Sequence, residues 1–155
     1  MTAITAAVTR RTRNLAAKSV GDYPITTAVT VVVGELVNFV VSATAPARVR
    51  AATAAASRVF AGIVESTSTD AGTGNTAGTV TARVAWGHEV RIACATALTT
   101  AYVTCNAAIA DNNTATTASA AGTAGVQVII GEVTEKESVN VAWVHLRKNA
   151  AAGNV

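Results

Sequence analysis

The chain has 155 residues and a formal net charge of +3. This length is enough for one domain with a real hydrophobic core and excludes two domains of comfortable size. Its 35 alanines, 24 threonines and 23 valines stand against only 4 leucines. Because valine and threonine fit a pleated, half-buried surface and leucine is the usual residue of helix cores, the composition favours an all-β protein.

The side chains are small, and aromatic residues make up 4% of the chain. Small side chains bury little area each, and burial of apolar surface contributes about 25 cal/mol per Å². The isolated chain should therefore be only modestly stable, and association of subunits is one way to stabilise it.

The charges are distributed unevenly. Residues 1–58 hold seven basic and two acidic residues, whereas residues 59–155 hold five basic and seven acidic ones. Residues 1–22 are predicted to form an extended N-terminal arm with at most a short helical turn. The arm ends at Tyr23-Pro24, because the residue before a proline is pushed into extended geometry. The basic residues of this arm are Arg10, Arg11, Arg13 and Lys18. Such an arm indicates an acidic partner surface or nucleic acid, and the alternative is a solvated tail.

Beyond the arm, the pattern predicts one β-rich domain over residues 23–149, followed by a C-terminal tail over residues 150–155. β-Branched runs and the alternation of apolar with polar residues support this prediction. The predicted strands are 25–33, 36–43, 48–50, 59–65, 79–85, 89–94, 102–105, 125–133 and 139–146.

Three connections between these strands have their own sequence signals. The bend at residues 86–88 is expected to join its two flanking strands into a β-hairpin. Residues 111–113, Asp-Asn-Asn, predict a turn because these side chains bond their own main chain. Residues 135–138, Glu-Lys-Glu-Ser, predict a charged turn.

The most apolar segment, residues 25–45, has the composition of a membrane span or a signal sequence. Glu35 and Asn38 stand in its middle, and a charged group there costs about 2.5–3.5 kcal/mol on insertion into a membrane. We therefore interpret the segment as two strands broken at Gly34-Glu35, and we expect no association with a membrane.

One phrase occurs twice, as VFAGIVEST from residue 59 and as VIIGEVTEK from residue 128. A duplicated ligand loop would need polar groups beside each glycine, but the neighbours are mostly apolar. Glycine inside an apolar strand usually marks a bulge or a sharp bend. Gly62 and Gly131 therefore predict two bends, which suit a sheet that curls into a barrel or a tight sandwich.

The side chains that could bind metals are few. His88 and His145 are the only histidines and lie far apart in the sequence, so no metal site is predicted; we interpret His88 as a turn residue and His145 as a strand residue. In a secreted protein, Cys94 and Cys105 would suggest a disulfide bridge. With no further cysteine to support a disulfide framework, we expect two free, buried thiols and a reducing compartment.

The motifs of common enzymes are missing from the sequence. No Gly-x-Ser-x-Gly elbow occurs, and the glycine-rich loop at residues 66–78 lacks the Gly-Lys-Ser/Thr of a phosphate loop. We therefore assign no catalytic residue and no cofactor, and we predict that the protein is not an enzyme. The arm has no aromatic residue for base stacking, so no specific nucleic acid is expected. Trp86 and Trp143 are interpreted as core or interface anchors.

Four phrases follow one another in a suggestive order: FAGIVES, TVTARVAWGHEVRIAC, AYVTCNAAIADNNTATTASAAGT and VIIGEVTEKESVNVAWVHLRKN. This succession resembles the capsid decoration proteins of tailed bacteriophages, also called cement or head-stabilising proteins, over about residues 25–149. The resemblance implies a small β-barrel or β-sandwich domain on the outer capsid surface of the virion, assembled in the host cytoplasm. It also implies a homotrimer that bridges neighbouring subunits of the major capsid protein.

In this family an N-terminal arm often reaches across the shell. We therefore expect the four arm cations to contact an acidic capsid surface. Two alternatives stay open at this point. One is another phage virion component, namely a head-fibre base or a tail-tube protein. The other is a secreted β-sandwich adhesin or carbohydrate-binding module, which predicts a disulfide bridge and exposed aromatic residues.

Overall fold

The computed structural model describes residues 6–26, 29–42, 45–53, 59–70, 78–117 and 128–148. These residues are mostly strands, with two short 3₁₀ turns at Leu15–Ala17 and Thr100–Tyr102. The strands are β1 Thr12–Arg13, β2 Ser19–Pro24, β3 Thr30–Val31, β4 Leu36–Ser42, β5 Ala45–Ala51, β6 Val59–Val64, β7 Ser68–Thr69, β8 Thr81–Trp86, β9 Glu89–Cys94, β10 Asn106–Ile109, β11 Thr114–Thr117, β12 Ile129–Ser138 and β13 Val141–Leu146.

The first barrel is formed by five strands in the order β2-β8-β6-β4-β5, and all of these neighbours are antiparallel. The sheet closes because Ile25, directly after β2, forms a parallel bridge with Val49 of β5. The main-chain N–H of Thr26 donates to the carbonyl of Val49 at 3.1 Å. The buried apolar cluster of this barrel comprises Ile25, Val31, Val37, Phe39, Val49, Ala61, Val64, Ala82 and Val84.

The second barrel is formed by β9, β11, β10, β12 and β13, and it closes where β13 pairs with β9. The β9–β11 pair is parallel, and the other pairs are antiparallel. The short β1 also pairs with β9, with Thr12 opposite Val90. The N-terminal segment is thereby attached to the second barrel.

The two barrels have the same strand order. Numbered along the chain within each barrel, the first strand lies between the third and the fifth, and the second lies between the third and the fourth. In both barrels the first and third strands meet in parallel. The chain therefore contains one five-stranded arrangement twice.

The repeated phrase occupies the fourth strand of each barrel. Gly62 lies in β6 at a register shift against β4, and Gly131 lies in β12 at a register shift against β10. Their φ angles are +150° and +157°, and a Cβ at either position would overlap the carbonyl oxygen of the adjacent strand, at Ala85 or His145. The prediction that both glycines mark bends is confirmed, because each lies in a β-bulge.

The residue after each glycine differs between the repeats for a physical reason. Ile63 points away from the first barrel and is buried in a cluster that includes the interior of the second barrel. Its counterpart Glu132 is half-buried and forms an ion pair with Arg147. The outward face of β6 is therefore covered by the other barrel, whereas the matching face of β12 retains a charged side chain.

The predicted hairpin around residues 86–88 is wrong, although both of its strands exist. β8 pairs with β2 and β6, while β9 pairs with β1, β11 and β13. The bend is the link between the two barrels. Alternation along a strand specifies which face is buried, but it does not specify the partner strand.

Two other local predictions are corrected. Residues 102–105 form no strand, since the N–H of Cys105 donates back to Tyr102 at 3.0 Å and closes a turn. Residues 135–138 are the end of β12, and the turn follows at residues 139–140. The turn at residues 111–113 is confirmed, because Oδ1 of Asp111 accepts the N–H groups of Asn113 and Thr114.

The predicted arm over residues 1–22 is largely extended where it is described, from residue 6 onward, and it contains the expected helical turn. Its last four residues belong to β2. Three parts of the predictions from the sequence lie outside the described residues: most of the loop at residues 66–78, residues 1–5 of the arm, and the tail at residues 150–155.

Replacement of Gly131 by alanine should lower the free energy of unfolding by about 3 kcal/mol, because the new Cβ would meet main-chain atoms that cannot move aside. Gly21→Ala is the matched control, since its Cβ would meet only the end of the Tyr23 ring; we expect a change below about 1 kcal/mol. Urea denaturation of both variants measures the difference. Equal effects would contradict the assignment of the bulge.

Candidate functional site at the junction of the barrels

We call residues 6–18 the strap, because this segment contacts both barrels. The N–H of Val8 donates to the carbonyl of Val33 in the first barrel's β3–β4 turn at 2.8 Å, and the N–H of Arg91 in β9 donates to the carbonyl of Arg11 at 3.0 Å. The strap then continues into β2. It is therefore held by main-chain hydrogen bonds on both sides of the junction.

Arg10 connects a turn of each barrel. Its Nε donates to the carbonyl of Gly34 at 2.5 Å, and its Nη2 donates to the carbonyl and to Oδ1 of Asn113 at 3.1 and 2.8 Å. Burial lowers the pKa of Arg10 to about 10, with the charge of Asp111 acting against this shift. At neutral pH the guanidinium is still charged and bonds the two turns together.

Glu35 is a buried carboxyl group at the same place, with 2% of its surface exposed. It accepts hydrogen bonds from the N–H of Val32 at 3.0 Å and from the side-chain amide of Asn112. Burial raises the pKa of Glu35 above its ordinary value, although these two hydrogen bonds oppose the shift. The carbonyl of Asn112 also accepts the N–H of Leu36 at 2.9 Å. A loop of the second barrel thus satisfies polar groups of the first.

Arg13 fastens the strap to the second barrel. Its guanidinium lies 4.3 Å from the centre of the Trp143 ring and forms ion pairs with Glu89 and Glu135. Asn14 donates a further hydrogen bond to Glu89 at 2.7 Å. Burial opposes ionisation of Glu89, but the hydrogen bonds from Arg13 and Asn14 outweigh it, so the pKa of Glu89 lies below its ordinary value.

Lys18 forms an ion pair with Glu65 at the end of β6. Of the four predicted capsid-contact residues, Arg10, Arg13 and Lys18 thus bond within the chain. Arg11 differs from them, since its side chain is exposed and makes no hydrogen bond or ion pair within the described ranges. The charges of the arm can be read from the sequence, but the residues that these cations bond cannot, because they lie up to 122 positions away along the chain.

The two tryptophans lie in different surroundings, and both are half-buried. Trp143 receives Arg13, as described above. Trp86 lies with Tyr23, which contacts Phe39 edge to face at 5.0 Å between ring centres. Lys148, two residues after β13, places its ammonium 4.3 Å from the Trp86 ring and 4.8 Å from the Tyr23 ring. This cation–π cluster is a second attachment between the barrels.

His88 lies in the link between the barrels and is 1% exposed. Its carbonyl accepts the N–H of Leu146 at 3.0 Å, and its buried Nδ1 has no hydrogen-bond partner among the described residues. Burial lowers the pKa of His88, nearby Lys18 and His145 lower it further, and Trp86 and Glu65 act against the shift. The ring is therefore held neutral at pH values where a solvated histidine takes up a proton.

The cysteines and histidines form no common site in the described part of the chain. Cys94 and Cys105 are both free; Cys94 is buried, whereas Cys105 is half-buried. Burial raises the pKa of the Cys94 thiol to about 11. Within the described ranges no group of three or more His, Cys, Asp or Glu side chains is placed to hold a metal ion. In the same ranges no helix has the length and apolarity needed to cross a membrane.

The fold and this geometry define an all-β protein of two like barrels, joined by an N-terminal strap. In comparisons with known proteins, no family model, no curated protein and no solved structure matches the chain. A proposal for its function therefore depends on the sequence resemblance and on the surfaces that the strap leaves exposed.

The neutral state of His88 predicts a pH dependence of stability. In the unfolded chain His88 titrates near its ordinary pKa of 6.5, so below that pH the unfolded state binds a proton that the folded state refuses. The free energy of unfolding should fall as the pH is lowered from 7.5 to about 5.5, a range that lies above the ordinary pKa values of Asp and Glu. The contribution of one histidine is at most about 1.4 kcal/mol per pH unit.

Urea denaturation at a series of pH values tests this expectation. His88→Gln should remove most of the slope, whatever its effect on stability at pH 7.5. His145→Gln is the matched control, because His145 is only half-buried; we expect it to keep most of the slope, since burial is the largest cause of the His88 shift. A slope that survives in His88→Gln would show that other groups cause it.

Proposed function

We propose that the protein decorates an icosahedral phage capsid and stabilises it by binding across neighbouring subunits of the major capsid protein, as a homotrimer on the outer surface. The observation that supports this most is where the phrases of the resemblance fall. FAGIVES covers most of β6, TVTARVAW ends with β8, and VNVAWVHL contains β13. The four phrases together include most of β6 and all of β8 in the first barrel and the five strands of the second. The proposal therefore rests on strand segments of the fold rather than on its loops.

The strap offers a surface suited to a protein partner. Leu15 is 52% exposed and Val20, in the adjoining β2, is 40% exposed. Arg11 lies on the same segment with an exposed side chain. Exposed apolar side chains and an exposed cation on one stretch of the chain suit a protein interface with an acidic rim.

A small contact surface is sufficient for this function. In a trimer the second and third contacts with the shell are intramolecular, so avidity multiplies a weak individual contact. Arg10 and Arg13 keep the strap in one conformation, and a preorganised surface loses less entropy on binding.

Combined replacement of Arg11 and Leu15 by serine should lower the occupancy of purified undecorated heads by about tenfold or more, because it removes one charged and one apolar contact per subunit. Co-sedimentation with the heads measures occupancy and copy number. Val139→Ser is the matched control: Val139 is 56% exposed but lies in the β12–β13 turn, so we expect it to bind as the wild type does.

The salt dependence separates the two contributions. Arg11→Ser alone should weaken binding at low salt and have little effect at high salt, since exposed charges are screened. Failure of the wild-type chain to bind heads at any salt concentration would overturn the proposal. A hexameric ring in solution would instead favour the tail-tube alternative.

A further inference from the structure

A cleft of about 440 Å³ lies between the strap and the first barrel. Part of its lining is apolar and includes Val8, Val33 and Ile63. Two arginines, Arg10 and Arg83, also line it. The cleft therefore combines an apolar wall with positive charge.

The positive charge of the cleft is only partly neutralised. Glu65 is the one carboxylate among the lining residues, and it already forms an ion pair with Lys18. The hydrogen bonds of Arg10 go to neutral acceptors, the carbonyl of Gly34 and Asn113. Asp111, whose charge acts on Arg10, does not line the cleft. An anion that enters the cleft thus meets two guanidinium groups and a carboxylate that already has a partner.

Both guanidinium groups have donors to spare. Nε of Arg83 is 3.7 Å from Glu65, which is too long for a hydrogen bond, and the side chain is 53% exposed. The bonds of Arg10 use Nε and Nη2, and its Nη1 has no partner within the described residues. A guanidinium presents N–H groups in a fork that matches the two oxygens of a carboxylate.

We propose that the cleft binds a carboxylate group carried on a short aliphatic stem. The carboxylate is bound by Arg83 and by the free donors of Arg10, and the stem packs against Val8, Val33 and Ile63. This chemistry has two sources, a free small carboxylic acid or a glutamate side chain of a protein partner. In the second case the inference rests on the proposed function, and the partner is the major capsid protein.

Titration of the folded protein with glutarate tests the site. Amide chemical shifts report binding, and a parallel titration with sodium chloride at equal ionic strength corrects for the effect of salt. We expect saturable shifts at residues of the strap and of β6. Arg83→Ser should weaken binding about tenfold, the effect of losing a charge-assisted hydrogen bond. Arg83→Lys should fall between the two, because it keeps the charge and loses the fork.

Arg147→Ser is the matched control, since Arg147 is also 53% exposed and does not line the cleft; it should bind glutarate as the wild type does. The absence of saturable shifts, or equal affinity in Arg83→Ser and the wild type, would overturn the proposal. Both outcomes are read without phage heads, so they do not depend on the proposed function.

Head binding then identifies the source of the carboxylate. If a capsid side chain enters the cleft, glutarate competes with decoration and Arg83→Ser lowers occupancy. If a free acid is the ligand, occupancy is unchanged while the titration still saturates. Both results support the carboxylate site. Because glutarate binding and head binding are measured separately, a missing carboxylate site can be distinguished from an absence of capsid decoration.

Discussion

The buried carboxyl group of Glu35 constrains how the two barrels meet. A buried polar group without partners costs about 1–3 kcal/mol, and one of the two partners of Glu35 is Asn112 of the second barrel. A docked arrangement that buried Glu35 away from Asn112 would therefore leave the carboxyl group with one hydrogen bond fewer. Arg10 adds a second condition, because its bonds to Gly34 and Asn113 also span the junction. Polar groups thus fix the register of an interface at which apolar side chains such as Phe60 and Ile63 are also buried.

The repeated five-stranded arrangement explains how a composition dominated by small side chains forms a specific structure. Each barrel curls through one glycine bulge in its fourth strand, and the interiors are filled by small aliphatic side chains. What distinguishes the repeats is their outward faces. Phe60 and Ile63 are buried together with the interior of the second barrel, whereas Glu132 is bonded to Arg147 at the surface. Docking by this face therefore occurs once and does not continue into a chain of barrels.

The local features could be predicted from the sequence, and the long-range ones could not. The all-β class and the alternation in β13 follow from the two-residue repeat of apolar side chains along a strand. The bends at Gly62 and Gly131 follow from the conformational freedom of glycine inside an apolar strand. The same patterns do not identify partner strands, so they predict one hairpin around Gly87 although its two strands belong to different barrels. The arm carries a charge that is visible in the sequence. Its attachments needed the fold, since Arg13 bonds residues 76 and 122 positions away.

The most direct test of the junction is scanning calorimetry of the wild-type chain beside Asn112→Ala. If the strap and the Glu35–Asn112 contact make the barrels one cooperative unit, the wild type will give a single endotherm. The endotherm of the variant will then move to lower temperature as a whole. Two separate endotherms, of which only one responds to the substitution, would contradict the account and show that the barrels unfold independently.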